Sequence, residues 1–150
     1  MAIDYQLKFA EDVAPSALAG WLRTAGLADT DSPATFVAPA LTATIGDARD
    51  IGRRWAALGF APHVEIFFTQ DKFAPYEEGI ARLVETVALL LREVPADAAL
   101  ASNNDVVLAL RLRGDLVLTS RDDWWIRPTF APGLADRLGA PYRLEPLPII

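Results

Sequence analysis

Apolar and polar residues alternate from Ile3 to Phe9, with Ile3, Tyr5, Leu7 and Phe9 on one side of the chain and Asp4, Gln6 and Lys8 on the other. A period of two predicts a strand with one buried face. Pro15 suits a first helical position. Leu18, Trp21, Leu22 and Ala25 then recur at helical spacing, and Gly26 marks the stop. Residues 28–40, rich in Asp, Thr, Ser and Pro, read as loop with a short strand near Phe36 and Val37. Leu41 to Ile45 alternates again. The stretch from Asp47 to Gly59 holds Arg53, Arg54, Trp55 and Leu58 and is compatible with either a short helix or an irregular crossing.

From His63 to Thr69 the alternation is strong: Val64, Ile66 and Phe68 against His63, Glu65, Phe67 and Thr69. Pro75 opens the clearest helix of the sequence, Pro75 to Val94, whose Ile80, Leu83, Val84, Val87, Leu91 and Val94 form a wide apolar stripe; Pro95 ends it. Such a helix should cover a sheet. Val106 to Arg113 and Leu116 to Arg121 flank Gly114 and Asp115, a hairpin signal with glycine placed to accept a positive φ. Five prolines lie between Pro128 and Pro148, so an extended tail follows, with at most a short helix around Leu134 to Leu138.

Together these elements predict an α+β fold: a mostly antiparallel sheet of about five to six strands packed against two helices. One domain is expected over residues 1–150, with residues 127–150 as a Pro-rich tail extended over the body. At 150 residues, folding removes about 68–70% of the unfolded chain's surface from water, enough for one real core.

Composition narrows the chemistry. No cysteine is present, which excludes disulfides, thiolate metal sites, iron–sulfur clusters and thiol nucleophiles. The amino-terminal residues have no basic start followed by an apolar stretch, and apolar runs such as Val87 to Leu91 are far too short to span a bilayer. Neither a signal peptide nor a membrane span is expected, and a cytoplasmic location is the simplest reading. Net charge is −6, with seven acids against three bases in residues 1–50, seven against five in 51–100, and six against six in the last fifty. That field repels nucleic acid and attracts basic partners, and it also keeps a protein soluble.

Catalytic side chains are few. His63, the only histidine, points the same way as Glu65 if both lie in a strand, but zinc needs a further ligand that no second histidine supplies. Asp71, Asp105, Asp122 and Asp123 fall at predicted strand ends, where carboxylates gather to hold magnesium or to divide acid and base roles. For Asp71 the competing reading is a charge favoured at the N-terminus of the helix that follows. The glycines make no phosphate-cradling run, and no basic surface interleaved with aromatics appears, so neither a nucleotide nor a nucleic acid is expected. No cofactor and no metal is expected either.

The most unusual segment is RDDWWIRP, Arg121 to Pro128. In an extended chain Trp124 and Trp125 face opposite sides, so one enters the core while the other lies against the tail or stands ready for a partner. Tryptophan and arginine are favoured interface anchors. Asp71, Arg121, Asp122, Asp123, Trp124 and Trp125 are therefore the candidate binding residues.

Residues 63–75 (HVEIFFTQDKFAP), the long helix after them and residues 105–125 (DVVLALRLRGDLVLTSRDDWW) together resemble the immunity family paired with the Sit-type swarming-inhibition toxins of myxobacteria, which has many relatives in high-GC bacteria. The resemblance covers roughly residues 2–126 in order of elements. Its sharpest pieces are the strand ending in Asp71, Lys72 and Phe73 and the hairpin ending in Arg121, Asp122 and Asp123. It implies a small cytoplasmic protein, not an enzyme and without a cofactor, that binds and neutralises a cognate toxin delivered by a neighbouring cell. It carries over no set of toxin-contacting residues. The alternative from the residues alone is a small-ligand-binding or hydrolytic domain in which Asp71, Asp122, Asp123, Glu65 and His63 converge in a pocket. A homodimer with no other partner is a third reading.

Overall fold

A computed structural model of the chain describes residues 3–49, 53–127 and 133–150. Its described elements run β1 (Asp4–Phe9), α1 (Pro15–Thr24), β2 (Ala28–Asp29), β3 (Thr35–Ala38), β4 (Leu41–Asp47), α2 (Arg53–Ala56), β5 (Val64–Gln70), α3 (Tyr76–Glu93), β6 (Ala98–Ser102), β7 (Val106–Leu112), β8 (Asp115–Thr119) and β9 (Arg143–Glu145), with short 3₁₀ turns at Arg121–Asp123 and Asp136–Leu138. The strands form one mixed sheet in the order β2-β3-β4-β5-β1-β6-β7-β8-β9. Every pairing is antiparallel except the last, where β9 lies parallel to β8.

The α+β class stands, but the expected five to six strands become nine and the two helices become three. The additional strands carried no alternation. β2 and β9 are two and three residues long. β6 reads AALAS and is buried on both sides between β1 and β7, so no polar face marks its period. Residues 53–56 form a single helical turn, which settles the described part of the Asp47 to Gly59 stretch; residues 50–52 lie outside the described residues. So do residues 128–132 of the expected tail.

Tyr5, Leu7 and Phe9 of β1 and Ile66 and Phe68 of β5 share one face of the sheet, packed under Leu18 and Leu22 of α1 and Ile80, Leu83, Val84 and Val87 of α3. Each of these fully buried side chains contributes roughly 1.5–3 kcal/mol relative to an exposed one. The carboxyl end of α3 is closed by Arg111 of β7, whose guanidinium donates to the carbonyls of Leu91, Val94 and Ala96. These oxygens have no partner within the helix, so a cation from a neighbouring strand satisfies both hydrogen bonding and dipole.

The opposite face is only half covered. Trp55, Leu58 and Phe60, from α2 and the turn after it, join Leu147 near the carboxyl terminus over Ala99, Ala101, Val107 and Val117. Beyond them β3, β4 and β5 present Val37 and Phe67 to solvent at 42% and 36% exposure. β7 carries a bulge: Val107 pairs with Ala101 and Ala109 with Leu100, leaving Leu108 as the extra residue. That bulge matters for Trp125.

Candidate functional site

Four antiparallel steps separate β5 from β8, so the two strands run the same way and end at the same edge of the sheet. Asp71 follows β5, and the Arg121–Trp125 segment follows β8. The β6–β7 turn with Asp105 and the start of β1 with Asp4 lie at that edge too. The topology thus gathers five acids at one end, but along its whole width. Three strands, β1, β6 and β7, lie between β5 and β8, so the two strand ends are four spacings, roughly 19 Å, apart. Among the described residues no three His, Asp or Glu side chains gather closely enough to hold a metal.

Asp71 does not cap α3. Pro75 is the N-cap residue and provides no side-chain bond. Instead Asp71 builds the turn before it. Its amide donates to the Ala40 carbonyl at 3.0 Å, and its own carbonyl accepts from Ala74 at 3.2 Å. The Asp71 carboxylate accepts the Phe73 amide at 2.9 Å. An aspartate that bonds its own backbone two residues on is a preferred turn former.

The tryptophans depart from the extended reading. Ser120 to Ile126 turns on itself, with Asp122 and Asp123 at φ of 54° and 51°, a region aspartate tolerates better than most residues. Both rings therefore reach the same core. Trp125 is buried, and its Nε1 donates to the Leu108 carbonyl at 2.7 Å. Trp124 is half-buried and meets Trp125 edge-on at 4.7 Å and Tyr5 at 6.4 Å. The Arg121 guanidinium donates to the Leu147 carbonyl, and Thr119 Oγ1 accepts from the amides of both Arg121 and Leu147. Arg121 thus ties the chain's last residues to the end of β8, while Asp122 and Asp123 remain exposed.

His63 and Glu65 do not act together. Glu65 faces Lys8 at 3.5 Å. His63 precedes β5, and its Nδ1 lies 3.2 Å from Asp12 Oδ1. That pair sits at the other end of the sheet in a cleft of about 600 Å³, whose walls include Val13, Pro15, Ile45 and Val64. Arg49 bonds Asp47 through Nε at 3.1 Å and lies 3.8 Å from Asp12. The hydrogen bonds from Arg49 hold the Asp47 carboxyl down at about 2. Arg49 bridges Asp47 and Asp12, and His63 lies beside Asp12, which makes this corner a clamp between the β1–α1 loop and the end of β4.

The family comparison matches the SitI3-like family over residues 3–129, most of the chain. The chain belongs to that family. No curated protein and no solved structure matches it.

Every candidate binding residue of this SitI3-like protein, Asp71 and Arg121 to Trp125, falls inside the matched region, whereas β9 and the buried Leu147 lie beyond it. Two features carried no signal that periodicity detects. Lys8 falls on the polar side of β1 as expected, yet it is completely buried. Its ammonium lies 4.2 Å from the centre of the Trp55 ring and 3.5 Å from both Glu65 and Asn104. Burial lowers its pKa, opposed by Glu65. Phe73 is the other: it is 87% exposed at the tip of the β5–α3 turn.

Proposed function

We propose that this SitI3-like protein is a cytoplasmic immunity protein that binds and neutralises a cognate bacterial toxin. The family match over residues 3–129 carries the reading, because immunity proteins of this kind act by binding a toxin partner. The acidic balance agrees with a basic partner, since complementary charge speeds encounter and rejects wrong partners. No helix is long and apolar enough to cross a membrane among the described residues.

The proposed contact residues are those at the β5–β8 end: Asp71, Asp122 and Asp123 as acidic contacts, with Arg121 and the half-buried Trp124 beside them, while Trp125, expected as a contact, is buried and supports this cluster from the core. An end some four strand spacings wide, roughly 19 Å, suits a protein surface far better than a small ligand. Co-expression with the product of the adjacent upstream reading frame tests the function. Growth rescued by this protein, with co-purification of the pair, is the expected result. If no neighbouring gene product is toxic and none co-purifies, the proposal fails.

A further inference from the structure

We infer that Phe73 is an aromatic docking anchor, presented by the β5–α3 turn to an apolar pocket with a basic rim on a partner protein. The inference rests on the toxin-binding reading and assigns it a residue. An isolated exposed leucine or valine on a surface is unremarkable, but a phenylalanine at 87% exposure leaves nearly its whole ring in water. No other large apolar side chain among the described residues is more exposed than Ile149, at 63%.

The ring is held out rather than left loose. Asp71 fixes the turn at both ends, through its amide to Ala40 and through its carboxylate and carbonyl to Phe73 and Ala74, and Pro75 at φ −57° sets the exit into α3. A preformed turn has already lost the freedom that binding would otherwise remove, so the ring's burial goes further toward affinity. Beside the knob lies a shallow hollow of about 210 Å³, lined by Ile3, Gln70, Lys72 and Tyr76 among others. Knob and hollow together offer a shape that a partner's surface can key into.

Charge selects the partner. The turn and the first turn of α3 expose Asp71, Glu77 and Glu78 against Lys72 alone. The excess of acid opposes an anionic bilayer. It also opposes a two-fold contact with a second copy, which would set the same acids against each other. A pocket ringed by Lys or Arg is favoured by the same groups.

The test is calorimetric titration of the full chain with the purified product of the upstream reading frame, using wild type, Phe73→Ala, Phe73→Leu and Phe67→Ala. Phe73→Ala is expected to weaken binding by about 30-fold or more, the loss typical of an anchor, with the melting temperature little changed because the ring meets the exposed Lys72 ammonium, 5.1 Å from its centre, rather than the core. Phe73→Leu should keep part of the affinity, and Phe67→Ala nearly all. Glu77→Lys with Glu78→Lys should weaken binding, and the more so at low salt. If wild type binds and Phe73→Ala binds equally well, the anchor is overturned while the toxin reading stands. If wild type neither binds that product nor rescues growth, the toxin reading falls first and takes the anchor with it. Phe73-dependent co-sedimentation with phosphatidylserine vesicles, without binding to the protein, would also overturn the inference, as would loss of dimer on Phe73→Ala in sedimentation.

Discussion

The ammonium of Lys8 lies 4.2 Å from the centre of the Trp55 ring, with both side chains fully buried. Lys8 also faces Glu65, and Trp55 Nε1 donates to Asn104 at 3.1 Å, so one cation, one ring and one amide pin α2 to the half-covered face. Trp55→Ala should destabilise by roughly 3–5 kcal/mol, the usual range for emptying an aromatic core site. Trp55→Phe keeps a ring over the cation and should lose much less. Urea unfolding curves with unchanged slopes would show it.

Removing the two halves of the Lys8–Glu65 pair should not be equivalent. Lys8→Met fills the site with an apolar chain and leaves Glu65, which is 13% exposed, able to reach water; the expected change is within about 1 kcal/mol. Glu65→Leu strands a buried cation and should cost about 3 kcal/mol near neutrality. The pH dependence has a definite sign. The folded-state pKa of Lys8 lies below 10.5, so between that pKa and 10.5 the unfolded chain binds more protons and stability rises with pH. The penalty of Glu65→Leu should therefore shrink in alkali; a penalty constant from pH 7 to 10 would contradict it.

Trp125 completes the bulge in β7. Leu108, the unpaired residue of that bulge, has its carbonyl satisfied by Trp125 Nε1. Trp125→Phe retains most of the packing but orphans a buried carbonyl, at about 1–3 kcal/mol, and Trp125→Ala should cost more, roughly 3–5 kcal/mol. Amide exchange at residues 107–109 should quicken in both variants.

Gly79 of α3 has no room for a side chain. A Cβ there would stand 2.4 Å from Gln70 Nε2 and 2.8 Å from Gln70 Cγ. Gln70 is buried and tethered, donating to the Tyr76 carbonyl at 2.9 Å and accepting from the Tyr5 hydroxyl. Alanine normally stabilises a helix by about 1 kcal/mol over glycine. Here Gly79→Ala should destabilise instead, and pairing it with Gln70→Ala should recover part of the loss. A double-mutant cycle with no coupling would refute the contact.

Asp47 gives acid sensitivity. Its carboxyl is held at about 2 by Arg49, against an ordinary 3.8. A depressed acid contributes stability above the unfolded value that is lost as pH falls through the folded one. Asp47→Asn should flatten the stability curve between about pH 4 and pH 2 without changing its shape above pH 5, as thermal melts across that range would show.

Long, strongly patterned elements were legible from residue order alone. β1, β5 and α3 each keep one apolar face for their whole length, so burial of that face dictates both period and direction of packing. The hairpin of β7 and β8 was legible from Gly114 and its alternating flanks. The resemblance carried by residues 63–75 and 105–125 agrees with the family match over residues 3–129. β6 was not legible, because alanines buried on both faces have no period, and β2 and β9 are too short to have one.

What residue order determined about this protein is the α+β class, its main strands and helices, and the family to which it belongs, since these depend on local periodicity and short motifs. Tertiary structure alone decided what each polar or aromatic side chain does. Lys8, on the polar side of its strand, is buried because α2 crosses over it, and Trp124 and Trp125 share one core because two aspartates take positive φ. Phe73, which composition would assign to the interior, stands in solvent because the Asp71 turn holds it there. These outcomes depend on segments far apart in the chain or on backbone angles that alternation does not encode.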